Sequence, residues 1–273
     1  MSGINFTIDQ NHVATLQVDR PAVRNALDWD AMQAFGQAIQ QAEAAEDLRA
    51  LIVTGGGRTF VSGGDLKVLQ HHPTKEDGLR LATQMGDALA RLEMLPVPTI
   101  AAINGPARGG GAEITVACDM SIIAEDADIG FVHTRLGIIT AWGGGQRLLR
   151  EVGYAAALEL MTSGRVVSPQ EALRLRLVNR VVPAGQAYSA ALELAAEIAS
   201  RPPQAIQAAK RVLRNSIAHP QGDAYMAERE EFPLLWDSGF RREALRRFLD
   251  KGKPPPKPPH TTTGAVSTSA SQD

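Results

Sequence analysis

The sequence predicts an α/β fold, and three observations carry that prediction. Short apolar runs of strand length alternate with amphipathic helical stretches through the first half of the chain. Two glycine clusters end strand-like runs and lead into helical ones, and from Gly144 onward the periodicity is mostly helical.

Taken in order, Val13 to Val18 places Ala14, Leu16 and Val18 on one face at period two, which reads as a half-buried strand. After Arg20-Pro21, Asp28 is a helix N-cap candidate, and Met32, Phe35 and Ile39 recur at helical spacing to about Ala45. Ala50 to Thr54 is a short buried strand closed by Gly55-Gly56-Gly57. Leu79 to Leu95 reads as helix, Thr99 to Ile103 and Met120 to Ala124 as further buried strands. Helices are then expected over Gln146 to Val152, Tyr154 to Thr162, Ser168 to Leu175 with Ser168 as cap, Gly185 to Ser200 and Pro203 to Ser216, with two more near 223–235 and 238–250. From Lys253 the chain is rich in Pro, Thr and Ser and almost without large apolar residues. Burial there cannot offset the entropy of ordering, so 254–273 reads as a disordered tail.

With 273 residues, 44% of them hydrophobic, the chain can bury a large core as one domain, or as one domain with a helical appendage. A net charge of −2 and the absence of a separate basic block argue against nucleic-acid binding. No apolar stretch approaches the roughly 18 residues of a membrane span. A single cysteine, Cys118, and an N-terminus without a secretory pattern suggest a cytoplasmic protein, with Cys118 as an inert buried thiol. His71 and His72 are adjacent and point in different directions with no evident third ligand, so no metal site is expected.

The chemistry concentrates in two segments. Asn104-Gly105-Pro106-Ala107-Arg108-Gly109-Gly110-Gly111-Ala112-Glu113 follows an apolar run and opens a helix through Cys118. Its glycines let a ligand oxygen approach the main chain, at a helix N-terminus whose dipole favours negative charge. Phe60-Val61-Ser62-Gly63-Gly64-Asp65-Leu66 is a second strand end with paired glycines. Both can supply oxyanion donors.

On these two segments the chain resembles the crotonases, the enoyl-CoA hydratase/isomerase superfamily. The resemblance extends to Arg20-Pro21 with Asn25-Ala26-Leu27, to Leu136-Gly137-Ile138, to Gly143-Gly144-Gly145-Gln146-Arg147-Leu148 and to Phe248-Leu249 through Lys253, covering roughly residues 4 to 256. It implies a spiral of repeated ββα units over residues 1–195 carrying an acyl-CoA site, and a C-terminal helical region over 196–253 that forms homotrimers or dimers of trimers. It implies an acyl-CoA thioester substrate and no cofactor, coenzyme A being part of the substrate.

By position, the resemblance makes the amides of Gly64 and Gly110 the donors to the thioester oxygen. It assigns coenzyme A contacts to Ser62, Gly63, Asp65 and Leu66 and to the segment at Val23 and Arg24. Arg24 and Lys67 either face the phosphates or are simply solvated. Asp65 more readily caps a helix or orients the loop than reacts. Trp142 either lines the acyl pocket or packs beside a glycine turn.

Glu113 takes the place of one catalytic glutamate of the hydratases, against the plainer role of complementing a helix dipole. The second glutamate is missing. In Phe131-Val132-His133-Thr134-Arg135-Leu136-Gly137 its place is held by His133, which either transfers a proton or is a satisfied core histidine. The combination with Trp142-Gly143-Gly144 is similar to a decarboxylase branch acting on short branched malonyl-CoA analogues. Three activities follow from the resemblance: enoyl-CoA hydration, decarboxylation of that kind, and acyl-CoA binding without catalysis. A nucleophilic hydrolase built on Ser62 ranks below them, since no G-x-S-x-G elbow is present.

Overall fold

The computed structural model describes residues 2–218 together with 229, 230, 232–234, 239 and 243. Its elements are β1 (Ile4–Ile8), β2 (Val13–Val18), α1 (Trp29–Ala44), β3 (Ala50–Gly55), α2 (Leu66–Leu69), α3 (Lys75–Met94), β4 (Thr99–Ile103), β5 (Ala107–Arg108) and α4 (Gly110–Ala117). They continue with β6 (Met120–Ala124), β7 (Ile129–Gly130), α5 (Gly144–Val152), α6 (Tyr154–Ser163), β8 (Val166–Val167), α7 (Pro169–Arg174), β9 (Arg180–Val182), α8 (Ala187–Ala199) and α9 (Pro203–Ala218). Single 3-10 turns lie at Pro21–Val23 and Val132–Leu136.

Among the described residues the larger sheet has the order β1-β2-β3-β4-β6-β9, antiparallel only between β1 and β2. A smaller sheet runs β5-β7-β8. Parallel pairing needs long crossovers, and α1, α3 and α4 supply them. The central strands are apolar without interruption because both faces of the sheet are covered. Alternate residues divide between two cores. Leu16, Leu51, Val53, Ala101, Ile103 and Ile123 meet the helices of the main core, while Val13, Ala50, Ile52, Ile100, Ala102 and Ile122 pack against Ala190, Ala191 and Ala195 of α8.

Local chemistry sets the helix starts. Asp28 accepts the Ala31 N–H at 2.9 Å and caps α1, and Ser168 caps α7. α3 begins at Lys75, four residues before the apolar periodicity, because Thr74 and Asp77 form a reciprocal capping box in a polar stretch. α9 is fixed by Lys210, whose Nζ donates to the Val97 carbonyl at 2.8 Å and to Asp119 at 2.6 Å.

The boundary expected between 195 and 196 falls inside α8, which runs unbroken to Ala199 on the sheet, and the compact unit spans Met1–Glu231. Phe232–Asp273 form a second unit, of which 232–234, 239 and 243 are described, all helical. Most of the helices expected at 223–235 and 238–250, and the whole tail from 254, lie outside the described residues. Among the described residues no helix is long and apolar enough to cross a membrane.

Candidate active site

The first glycine segment is clamped from two sides. On one side Leu27 donates to the Gly63 carbonyl at 2.8 Å and accepts from the Asp65 N–H at 2.8 Å; on the other, Arg108 donates to the Val61 carbonyl at 3.0 Å. Asn25, fully buried, joins this clamp. Its amide nitrogen donates to the carbonyls of Gly56, Thr59 and Phe60, and its oxygen accepts the Arg20 N–H at 2.7 Å. Arg24 and Asn25 both adopt left-handed conformations, with φ of 54° and 57°, a strain that this network holds in place.

Peptide geometry then dictates where two N–H groups point. The C=O and N–H of a trans peptide face opposite ways. With the Gly63 carbonyl turned to Leu27, the Gly64 N–H is turned away from Leu27. Gly110 opens α4, so its N–H has no acceptor within the helix, and the Gly109 carbonyl of the same peptide is turned into the helix to accept from Glu113 N. The loops touch: a Cβ on Gly63 would lie 3.2 Å from Gly110 N. With φ of +96° at Gly63 and +53° at Gly109, both loops need glycine.

Glu113, 1% exposed in the first turn of α4, is held by backbone. Its Oε2 accepts the N–H groups of Trp142 at 2.8 Å and Gly144 at 2.9 Å, and Oε1 accepts that of Ala141 at 3.4 Å. His133, on the 3-10 turn Val132–Leu136, brings Nε2 to 3.0 Å from Oε1. Nδ1 of the same ring is buried and has no hydrogen-bond partner among the described residues.

A cleft of about 420 Å³ gathers Val23, Arg24, Ser62, Gly64, Asp65, Leu66 and Lys67, with Ala22, Ala26 and Arg108. Arg24, Leu66 and Lys67 are exposed; Asp65 is buried and caps α2 through the Lys67 N–H at 3.1 Å. Gly110, Glu113, His133, Gly63 and Trp142 are not among the residues lining this cleft. Trp142 is 4% exposed with its indole against Gly110, so the contact it makes is that of a packed aromatic beside a glycine turn. Cys118 is buried, and burial pushes its thiol far above the ordinary range, with Asp119 pushing the same way. It is not poised to be a nucleophile.

Asn25, Arg108 and Arg147 were not singled out as site residues by the sequence. All three stand inside the motif segments, and their partners lie far along the chain: Arg108 pairs with Asp128 and Arg147 with Glu93.

The fold and these segments define a known class. Residues 9–258 match the model of the enoyl-CoA hydratase/isomerase family, and the chain belongs to that family. It is 35% identical over 255 residues to a Bacillus subtilis protein named as a probable enoyl-CoA hydratase, covering 93% of this chain and 98% of that one. It is 32% identical over 247 residues to an ethylmalonyl-CoA decarboxylase of Gallus gallus, covering 89% and 83%. The crystal structure of an enoyl-CoA hydratase from Bacillus anthracis superposes with a TM-score of 0.87 at 34% identity, covering 91% of this chain and 96% of that one. The α/β crotonase architecture expected from the sequence is the one observed.

Proposed function

We propose that this chain is an acyl-CoA lyase acting as an enoyl-CoA hydratase. The observation that carries the reading is the pair of N–H groups, Gly64 and Gly110, turned out of adjoining loops beside the buried Glu113–His133 pair. Two fixed donors on a thioester oxygen stabilise the enolate that forms when a nucleophile adds to a 2-enoyl thioester, without having to reorganise. Loss of one such donor costs about 2.7–4 kcal/mol of barrier. Hydration then needs water deprotonated as its oxygen bonds to Cβ, and a proton delivered to Cα; we assign those transfers to Glu113 and His133, whose side chains lie 3.0 Å apart. The cleft at Val23, Arg24 and Ser62 to Lys67 would take the coenzyme A portion. The protein is further read as cytoplasmic, from its single cysteine and the pattern at its N-terminus, and as a homotrimer or dimer of trimers, on family grounds.

A second reading is favoured by one residue. His133 stands where hydratases carry a glutamate, and decarboxylation of a methylmalonyl- or ethylmalonyl-CoA thioester needs no base. The C–C bond breaks, CO2 leaves, the electron pair becomes the enolate held by the same two amides, and a protonated group returns one proton to Cα. The experiment that separates them is incubation with crotonyl-CoA and, separately, with methylmalonyl- and ethylmalonyl-CoA. Loss of the conjugated-thioester absorbance supports hydration, and CO2 release from the malonyl compounds supports the second reading. Tight binding of all three without turnover would make the protein an acyl-CoA binder.

A further inference from the structure

We propose that Arg147 is a positioning residue for Glu113, acting through the turn Trp142–Gly144, and that Glu93 anchors it. The proposal deepens the lyase reading and rests on Glu113 being part of the reacting pair.

The turn is gripped on both sides. Inward, the N–H groups of Trp142 and Gly144 converge on Glu113 Oε2 at 2.8 and 2.9 Å. Between them Gly143 adopts φ +84°, and such an alternation of backbone hands is what turns neighbouring N–H groups toward one anion. On the other side, Arg147 Nη1 donates to the Trp142 carbonyl at 2.7 Å while its Nε donates to Glu93 Oε2 on α3 at 2.7 Å. There is no slack between these contacts. A Cβ on Gly144 would fall 2.4 Å from Glu113 Cγ, and one on Gly143 would fall 2.7 Å from Arg147 Nη1.

Holding the Trp142 carbonyl fixes the plane of the peptide joining residues 142 and 143, which lies between the two peptides that carry the Trp142 and Gly144 N–H groups. Arg147 is 6% exposed, and its guanidinium is a rigid fork that serves both partners at once. A lysine ammonium at the same place is a point charge on a flexible stem. It can retain Glu93 or the carbonyl but lacks the planar geometry that holds both. Arg150 provides an internal control, since it also pairs with Glu93, at 2.8 Å, and among the described residues it makes no hydrogen bond to the turn.

The test compares the full-length wild type with Arg147→Lys, Glu93→Gln and Arg150→Gln, by steady-state kinetics on the active thioester and by a crystal structure of the Arg147→Lys protein. A displaced reacting group costs turnover, so Arg147→Lys should lower kcat by about ten- to a hundredfold. KM should stay within about twofold, because the coenzyme A cleft is untouched. Glu93→Gln should lower kcat in the same direction and Arg150→Gln should leave it unchanged. In the variant structure, at least one of the Trp142 and Gly144 N–H groups should have left Glu113 Oε2. Wild-type kcat in Arg147→Lys, or a variant structure with both hydrogen bonds intact, overturns the proposal. Should Arg147→Lys fail to fold, Glu93→Gln carries both arms. A wild type that turns over no thioester would sink the lyase reading, and the structural arm would still decide whether Arg147 sets the turn.

Discussion

His133 Nε2 lies 3.0 Å from Glu113 Oε1, and the two side chains are joined although their backbones sit on different elements, α4 and the turn that follows β7. The pair is shielded, with side-chain exposures of 11% for His133 and 2% for Glu113. In such a site an ionised group acts through few, fixed partners, and each partner's loss has a separate signature.

Glu113→Gln keeps the size of the side chain and removes its capacity to take a proton. Turnover should fall by at least about a hundredfold, as for the removal of a general acid or base, with little change in affinity for a coenzyme A ligand. Steady-state kinetics alongside calorimetric titration with a non-reacting thioester measures both. Unchanged turnover would remove Glu113 from the chemistry.

His133→Ala should damage chemistry more than folding. Among the described residues the ring's hydrogen bonding is confined to Nε2 and Glu113, and its Nδ1 has no partner. A melting temperature close to wild type with a large loss of kcat is the expected pattern. The reverse, a large fall in melting temperature with normal specific activity in the folded fraction, would make it a core histidine.

Gly110→Ala tests the packing behind the donor pair. The added Cβ would fall 2.0 Å from Trp142 Cζ3, so the indole or the helix start has to shift, beside the residue whose backbone N–H binds Glu113 Oε2. Overpacking of this kind costs about 1–3 kcal/mol. Lower thermal stability together with reduced turnover is expected, and a variant with wild-type melting temperature and activity would show that the indole is not confined as described.

How far the site was legible in the sequence follows from the range of the interactions. The strands β4 and β6 stand where their apolar runs place them, and β3 extends one residue past its expected end, because a strand covered on both faces is written as an unbroken apolar stretch. The caps Asp28, Asp65 and Ser168 are local chemistry and equally readable. The strands β5, β7 and β8 have two residues each and no periodicity to read. The side-chain partners of Glu113 come from 20 to 31 residues further along the chain, and the carbonyls that accept from the Asn25 amide from 31 to 35. Sequence pattern located the motif residues but not the contacts that make them rigid.

The charge cluster behind the turn gives a pH dependence whose sign is fixed. Burial alone would raise the Glu93 carboxyl, but the hydrogen bond and charge of Arg147, followed by the charges of Arg214 and Arg150, outweigh it and hold the group below its ordinary value of 4.5. A carboxyl depressed in the folded state binds fewer protons there than in the unfolded chain. Its contribution is therefore fully present above the unfolded value and is lost as pH falls through the folded one. Removing the charge with Glu93→Gln breaks a pair in which Arg147 is 7% and Glu93 17% exposed, a loss on the order of 3 kcal/mol near neutrality. The gap in melting temperature between wild type and Glu93→Gln should be widest near pH 7 and narrow as the pH drops from 4.5 through the lower folded value, below which the folded wild type too is protonated. Calorimetry of both proteins across that range reads it directly. A gap that stays constant from neutral to strongly acidic pH would mean that the Glu93 charge contributes nothing to the folded state, and that the arginines around it are held by other partners.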